Sequence, residues 1–339
     1  MTSAWATRTL GSVLGLGALL LPAALAPVPA PWTGALLAGV LAGWCLLVAA
    51  AGGTAGAGPV AFVRDRLGPG PARAVTALYF AGFATGQAAV ALAAAGFAAG
   101  GSGRPALLTA VAVLATAAGF AAYRPLSLSP RAGRIRLGAV LALAAAWWLL
   151  GGPAAAPAAD WPAALVAVPL LFGWVGLESA VPELRRPGAA GARLGGTLLG
   201  LALAAALYGV LLRPAGWLTA PHPAVPAVLG LVSAAVCWTY CRTNLQATAA
   251  RWEELTAGSR RTGVAAGTLV ALGALGVGHL AHWGTAVLLI GPGSATAAIY
   301  LFIAVAALRR PRFDTLSKEQ QHDHFHRHRD LEGAARSAG

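Results

Sequence analysis

Ten long apolar segments, separated by short stretches that carry most of the charge, limit what this chain can fold into. Of its 339 residues 58% are hydrophobic and only 10% are charged, whereas a soluble domain has about 25% charged residues. The residues after Leu308 hold 12 of the 35 charged side chains, so only 23 are spread over the first 308 positions. The composition argues against a soluble enzyme or a nucleic-acid-binding protein and indicates an all-α integral membrane protein.

Each apolar segment is close to the length of about 20 residues that a helix needs to cross a bilayer. Arginines and clusters of proline and glycine separate the segments from one another. Cys45, Cys237 and Cys241 lie inside apolar segments, and their odd number argues against a disulfide framework. The predicted transmembrane helices are residues 9–26, 33–52, 74–99, 105–122, 136–152, 162–181, 193–212, 225–249, 263–281 and 284–307.

The basic residues lie almost entirely in alternate loops between these spans, and the intervening loops hold only Arg104 and Arg213. Because cytoplasmic loops are enriched in Lys and Arg, the arginine-rich side is predicted to be cytoplasmic. With ten spans both termini then lie in the cytoplasm, and the chain is predicted to be a multi-pass protein of the plasma (inner) membrane. The net charge of +13 comes from arginines in these loops and indicates the orientation of the spans in the membrane. No nucleic-acid partner is therefore predicted.

The ten spans divide into two sets of five. The predicted units are a first repeat over 1–152, a second repeat over 153–308 and a polar, His-rich cytoplasmic tail over 309–339 that is predicted to be disordered. Each repeat opens with a span that helix breakers interrupt, as is typical of substrate sites in transporters built from inverted repeats. These breakers are Gly11, Gly15, Gly17 and Pro22 in the first span and Pro169, Gly173, Gly176 and Pro182 in the sixth.

Several motifs, taken in order along the chain, resemble those of the amino acid/polyamine/organocation transporter superfamily. The first span contains Gly15-Leu-Gly17-Ala-Leu-Leu-Leu-Pro22, which is similar to G-x-G-I-F-x-x-P, although Ala18 and Leu19 replace the bulky pair. The stretch Gly58-Pro-Val-Ala-Phe62-Val-Arg64-Asp-Arg-Leu-Gly68-Pro resembles the glycine-rich turn after the second span.

The second half carries further motifs of the same kind. The sixth span contains Phe172-Gly-Trp174-Val-Gly176-Leu-Glu178 and then Glu183-Leu-Arg-Arg-Pro187, which resemble F-x-F-x-G-F-E and E-x-K-N-P. In the eighth span Tyr240-Cys-Arg-Thr-Asn244, followed by Arg251, is similar to an Asn-containing segment that ends in an arginine. The closest resemblance within the superfamily is to the compact methionine and branched-chain amino acid exporters. It implies a leucine-transporter-like fold with a 5+5 inverted repeat and a secondary active transporter, an amino acid permease or exporter.

A carrier of zwitterions needs donors for a carboxylate and acceptors for an ammonium group, and broken helices supply both from their backbone. The segment Gly15, Leu16, Gly17, Ala18 and Leu19 is predicted to bind the substrate carboxylate, and carbonyl groups around Phe172 and Gly176 to accept from the amine. Close helix packing is the other explanation for these glycines. Trp174 is predicted either to close over the substrate or to pack in the core.

Two ionisable residues inside the spans are candidates for coupling. Glu178 could carry a proton, or accept hydrogen bonds from the backbone of the broken sixth helix. Arg242 lies nine residues before Arg251, about 13 Å deeper along a helix. Snorkelling of its long side chain is one explanation. The other, implied by the resemblance, is that its charge occupies the place of an ion in sodium-coupled relatives.

The sequence offers few residues for catalysis, so the protein is predicted not to be an enzyme. The spans offer Glu178 and little else for catalysis, and no Walker motif is present, so ion or substrate gradients would drive transport. No cofactor or metal site is predicted, with weak metal binding by His322, His324, His326 and His328 in the tail as the alternative.

The predicted partners are an amino acid or amine substrate and the lipid bilayer, and a homo-oligomer is left open. The alternative functions are an integral membrane enzyme, a channel, a non-transporting subunit or a carrier of a specialised metabolite.

Overall fold

The structure, a computed structural model, describes residues 58–99, 103–124, 130–150 and 222–309. This part of the chain is entirely helical. In chain order its helices are α1 (Gly58–Leu67), α2 (Pro69–Ala99), α3 (Arg104–Tyr123), α4 (Pro130–Leu150), α5 (Ala224–Thr256), α6 (Arg260–Leu280), α7 (Thr285–Leu288) and α8 (Ile290–Leu308). The predicted first, second, sixth and seventh spans lie outside the described residues, as does the tail beyond Arg309.

Four of these helices are long and apolar enough to cross a membrane: α2, α3, α5 and α6. They correspond to the predicted third, fourth, eighth and ninth spans. Two of them extend further than their apolar segments, because α2 begins at Pro69 and α5 continues to Thr256. The 33 residues of α5 span about 50 Å, more than the roughly 30 Å of a bilayer's hydrocarbon core, so its charged end reaches beyond that core.

Two other predicted spans differ from their helices in extent or continuity. The predicted fifth span, 136–152, corresponds to α4, which begins earlier, at Pro130. The predicted tenth span, 284–307, is two helices, because α7 ends at Leu288 and α8 begins at Ile290. Proline lacks the N–H that would bond to the carbonyl four residues earlier, so Pro292 leaves the Leu288 carbonyl without that donor.

The helix α2 forms the centre of the described bundle and packs against α3, α5, α6 and α8. Half of its buried positions are alanines, including Ala84, Ala88, Ala91, Ala94 and Ala95 at 0% exposure. Without a large hydrophobic driving force in lipid, membrane helices associate through close van der Waals packing of small residues. The alanines of α2 allow the other helices to approach it closely on several sides.

A tight turn joins α5 to α6 and brings their backbones together. Ala257 ends α5 in the left-handed conformation with φ 54°, and Ser259 begins α6 by accepting a hydrogen bond from the Thr262 N–H at 3.2 Å. A Cβ atom at Gly263 would lie 2.8 Å from the Ala249 Cα, closer than side chains normally approach. The absence of a side chain at Gly263 is therefore what allows the first turns of α6 to contact α5.

Long-range contacts gather the arginines of separate loops at one end of the bundle. Arg66 donates to the Arg309 carbonyl at 2.7 Å, and Arg73 donates to the Leu255 carbonyl at 3.4 Å. The guanidinium of Arg261 lies 5.0 Å from the centre of the Tyr123 ring. If the arginine-rich loops all lie on one side of the membrane, as predicted, the helix ends next to them must lie together. The contacts of Arg66, Arg73 and Arg261 do bring these helix ends together. We call this end of the bundle the arginine-rich end.

The outer surface of the bundle is apolar, as expected for helices in lipid. Large hydrophobic side chains are exposed on α3, α4, α5, α6 and α8. Such a surface would be costly to expose to water. Examples are Leu108, Leu149, Val228, Leu231, Leu269, Leu280 and Leu301.

The close contact at Gly263 makes a direct prediction. Gly263→Ala should destabilise the protein by about 1–3 kcal/mol, because the added methyl group meets the Ala249 backbone and Trp252 Cβ. Gly273→Ala, in the same helix, has open space around its Cβ position and should be neutral or slightly stabilising. Thermal unfolding of both variants in detergent, followed by size-exclusion chromatography, tests this. Equal melting temperatures would contradict the packing described here.

Candidate functional site

Most of the predicted site lies outside the described residues. This holds for the predicted carboxylate-binding segment, for the carbonyl segment of the sixth span and for the predicted proton site. These positions are Gly15, Leu16, Gly17, Ala18, Leu19, Phe172, Trp174, Gly176 and Glu178. Their roles stay predictions. Arg242 is described, and its surroundings can be examined directly.

Arg242 lies in α5, and its side chain reaches the C-terminal end of α3. Its Nη2 atom donates a hydrogen bond to the carbonyl of Arg124, the residue that caps α3. The guanidinium carbon also lies 5.4 Å from the centre of the Phe120 ring and 5.9 Å from that of Trp238. Its Nε atom is buried without a hydrogen-bond partner among the described residues. Arg242 therefore connects two helices and keeps one N–H unpaired.

The position of the Arg242 guanidinium has a simple electrostatic cause. The last carbonyl groups of a helix have no intrahelical donors and carry the negative end of the helix dipole. A guanidinium that reaches them from a neighbouring helix satisfies one carbonyl and places its charge where the dipole favours it. The contact with Arg124 fits the snorkelling explanation for the depth of Arg242 in the sequence. Whether its charge also replaces a coupling ion stays a prediction.

Aromatic and hydroxyl groups continue this contact between α3 and α5. Trp238 Nε1 donates to Thr116 Oγ1 at 3.0 Å, and the Trp238 and Phe120 rings meet edge to face with centroids 5.4 Å apart. Thr116, Phe120 and Arg124 follow one another at intervals of four residues, so they share one face of α3. The partners on α5, Trp238 and Arg242, are also four residues apart. The two helices thus run parallel and are held by polar and aromatic contacts.

Gln87 is the most notable polar side chain inside α2. It is 2% exposed, and its Nε2 atom donates to the Phe83 carbonyl at 2.8 Å. Its Oε1 atom is buried and accepts no hydrogen bond from the described residues. It lies seven residues after Phe80, which contacts Trp252 of α5 at 5.4 Å, and so shares the face of α2 that meets α5. A buried acceptor without a donor is unfavourable, so this position calls for a polar partner.

Other buried hydroxyl groups provide a contrast to Gln87. Thr76, Thr248 and Thr296 each donate to the carbonyl four residues earlier, at 3.0, 2.9 and 2.8 Å. Ser233 in α5 does not, since its Oγ atom is buried at 0% exposure with no partner in the described part of the chain. Gln87 and Ser233 are therefore among the buried polar groups of the described helices that keep unused hydrogen-bonding capacity, as is the Arg242 Nε atom.

The break in the tenth span lies directly against α2. A Cβ atom at Gly86 would be 3.6 Å from the Pro292 Cβ, and one at Gly291 would be 3.2 Å from the Thr85 Oγ1. The interrupted helix thus meets α2 within two residues of Gln87 in sequence. Interrupted helices inside membrane proteins are tolerated where the freed backbone lines a cavity or is buried against protein. Here the break is packed against protein.

Sequence reasoning missed both Gln87 and the interruption at Pro292. The signal for Gln87 was present, because it is the one amide side chain in an apolar segment made mostly of alanine and glycine. The signal for the interruption was Gly291-Pro292-Gly293, the same type of breaker cluster that marked the first and sixth spans. The sequence argued against a disulfide framework, and Cys237 and Cys241 are free thiols, buried at 0% exposure.

Comparison with known proteins gives no independent family assignment. No protein-family model matches this chain, and no curated protein matches it either. Within the described ranges, no three His, Cys, Asp or Glu side chains come together as a metal site. The functional argument therefore rests on the chain's own motifs and helix packing.

The contact of Arg242 with α3 predicts a loss of stability on substitution. Arg242→Gln should lower the melting temperature, because a shorter neutral side chain leaves the Arg124 carbonyl without its donor and removes the stacking on Phe120 and Trp238. Arg104→Gln makes the same charge change at the opposite end of α3 and should have little effect. Thermal unfolding of both variants in detergent measures the difference. Equal stability of the two variants would show that the Arg242 contact contributes nothing.

Proposed function

We propose that this protein is a secondary active transporter that moves amino acids, neutral ones in particular, or related amines across the membrane by alternating access. An ion or substrate gradient would supply the energy. The order of the sequence motifs, which resemble those of the amino acid/polyamine/organocation superfamily, supports this class. The strongest structural support is the packing symmetry of the described helices.

An inverted repeat of five spans imposes a rule on helix contacts. The third span corresponds to the eighth, the fourth to the ninth and the fifth to the tenth. A contact between two spans should then recur between their counterparts. Helices packed without such a repeat have no reason to follow this rule, so it can be checked against the contacts of α2 to α8.

Three pairs of contacts follow the rule. The third span packs on the ninth through α2 and α6, and the eighth packs on the fourth through α5 and α3. The third packs on the tenth through α2 and α8, and the eighth packs on the fifth through α5 and α4. The third packs on the fourth, and the eighth on the ninth. This pairing is the single observation that best supports a 5+5 arrangement.

Helix direction agrees with the same arrangement. Repeats of five spans are inverted, so counterparts run in opposite directions. Arg73, near the start of α2, contacts Leu255, near the end of α5, and the Arg251 guanidinium lies 5.1 Å from the ring centre of Tyr79, further along α2. The two counterparts α2 and α5 are therefore antiparallel. Many carriers are built from inverted repeats, in which one repeat or bundle rocks against the other around a central site.

The proposed substrate site combines the broken first and sixth spans with the interior of this bundle. The segment from Gly15 to Leu19 would bind the carboxylate, and carbonyl groups around Phe172 and Gly176 would accept from the amine. Glu178 and Arg242 are the proposed coupling residues. The Oε1 atom of Gln87 has no donor among the described helices, and this supports a polar pathway beside α2, since the oxygen is suited to accept a hydrogen bond from an amine or from water.

Counterflow in liposomes tests the proposal. Purified protein, reconstituted into liposomes loaded with unlabelled amino acid, should accumulate labelled methionine, leucine or alanine above empty liposomes, and a subset of amino acids and amines should compete. Gly17→Leu should abolish the signal while the protein stays folded, because a side chain would fill the predicted carboxylate site. Gly119→Leu places the same side chain on an open surface of α3 and should transport normally. No counterflow of any amino acid by folded protein would contradict the proposal.

Because the Oε1 atom of Gln87 accepts no hydrogen bond from the described residues, a substitution of Gln87 is predicted to reduce transport without lowering stability. Gln87→Met should leave the melting temperature unchanged or raise it, because an apolar side chain of similar length removes an unsatisfied buried oxygen. The same variant should reduce counterflow if Gln87 lines the polar pathway. Thr76→Val, which removes a hydroxyl already bonded to its own helix, is the matched control and should transport normally. Wild-type counterflow by Gln87→Met would exclude Gln87 from the pathway.

A further inference from the structure

A cavity of about 310 Å³ opens at the arginine-rich end of the bundle, between the α1–α2 junction and the end of α8. Its walls are the apolar side chains of Leu67, Pro71, Leu301, Phe302 and Val305, and its remaining wall is Arg309. It belongs neither to the proposed substrate pathway nor to the contact of Arg242. An apolar cavity with one guanidinium has the composition of a site for an amphiphile.

The cavity faces the outside of the bundle. Leu301 is 66% exposed and Val305 is 40% exposed, so α8 presents these walls to the surroundings of the protein. In a membrane those surroundings are lipid chains. Leu301 and Arg309 are eight residues apart along the chain, so the cavity wall runs about 12 Å inward from the charged end of α8. This depth matches a headgroup phosphate followed by the upper part of an acyl chain.

The charged end of the cavity is fixed by contacts between helices. Arg66 donates to the Arg309 carbonyl at 2.7 Å, and its guanidinium lies 5.4 Å from the centre of the Phe62 ring. Phe62 is buried at 4% exposure, which anchors α1 against the bundle. Arg309 is therefore the one guanidinium among the residues that line this cavity, and Arg66 holds the Arg309 backbone in place.

We propose that this cavity binds one anionic phospholipid, with its phosphate at Arg309 and one acyl chain along Leu301, Phe302 and Val305. Arginine is well suited to phosphate because its donors can bond two oxygens at once. Basic pockets between membrane helices on the cytoplasmic side are known to bind anionic headgroups, and the positive-inside rule assigns this end to that side. The opposite end of the bundle, with Arg104 alone in the described loops, offers no such combination.

Native mass spectrometry of the full chain tests the proposal without requiring transport. The protein is equilibrated in detergent with equimolar phosphatidylglycerol and phosphatidylcholine that carry identical acyl chains. We expect one phosphatidylglycerol to be retained in preference to phosphatidylcholine. Arg309→Gln should weaken this retention about fivefold, the effect of one arginine on an anionic headgroup. Arg104→Gln, with the same charge change at the other end of the bundle, should retain the lipid as the wild type does.

A second pair of variants tests the acyl-chain part of the site. Val305→Trp fills the cavity and should reduce retention of phosphatidylglycerol, whereas Val228→Trp adds the same ring to an exposed position of α5 and should not. If Val305→Trp fails to elute as folded protein, Leu301→Trp replaces it. Equal retention of both phospholipids by wild type, or equal retention by Arg309→Gln and Arg104→Gln, would overturn the proposal. Displacement of phosphatidylglycerol by equimolar oleate would do so as well, because it would identify a fatty-acid site.

Discussion

The carbonyl groups at the ends of membrane helices need hydrogen-bond donors, and in this bundle arginines from other helices supply them. Arg242 of α5 donates to the Arg124 carbonyl at the end of α3, Arg66 of α1 to the Arg309 carbonyl at the end of α8, and Arg73 of α2 to the Leu255 carbonyl near the end of α5. Each contact joins two helices at the arginine-rich end. This arrangement also suits a chain with few carboxylates, because helix C-termini provide negative partial charge that side chains do not. The one ion pair found in the described ranges, Arg251 with Glu254 at 2.9 Å, lies within a single helix.

Close packing of small residues fixes the rest of the bundle and has consequences for motion. Gly82 of α2 lies so near α8 that a Cβ atom there would be 3.2 Å from the Ala295 Cβ, and Gly263 permits a similar approach of α6 to α5. Interfaces of this kind do not deform gradually, since a small shift creates either a clash or a void. The helices around α2 are therefore expected to behave as one rigid unit. In the proposed carrier, movement would then take place between this unit and the spans that bear the substrate segments.

Much of the helix pattern could be predicted from the sequence, because each span is a long apolar segment between arginines. The turn at His282, between the ninth and tenth spans, was predicted in place, and the structure has His282 there with φ 55°. Helix ends were predicted less well. The predicted eighth span ends before Arg251, whereas α5 continues to Thr256, since a helix can continue through charged turns that hydropathy leaves out. The interruption before Pro292 was missed because the surrounding residues are as apolar as an unbroken span.

The interior of the candidate site was harder to predict, since hydrogen-bond satisfaction depends on neighbours that are distant in sequence. Gln87 and Thr76 are both polar residues of α2, and only the structure shows that the hydroxyl of Thr76 is bonded to its own helix whereas the Oε1 of Gln87 is not. A glutamine retained purely for packing would gain nothing from an unpaired oxygen, because an apolar side chain of the same size fills the space without that cost. The cost is understandable if the oxygen accepts a hydrogen bond during transport. A carrier that must release its substrate cannot satisfy every polar group of its pathway with permanent protein partners.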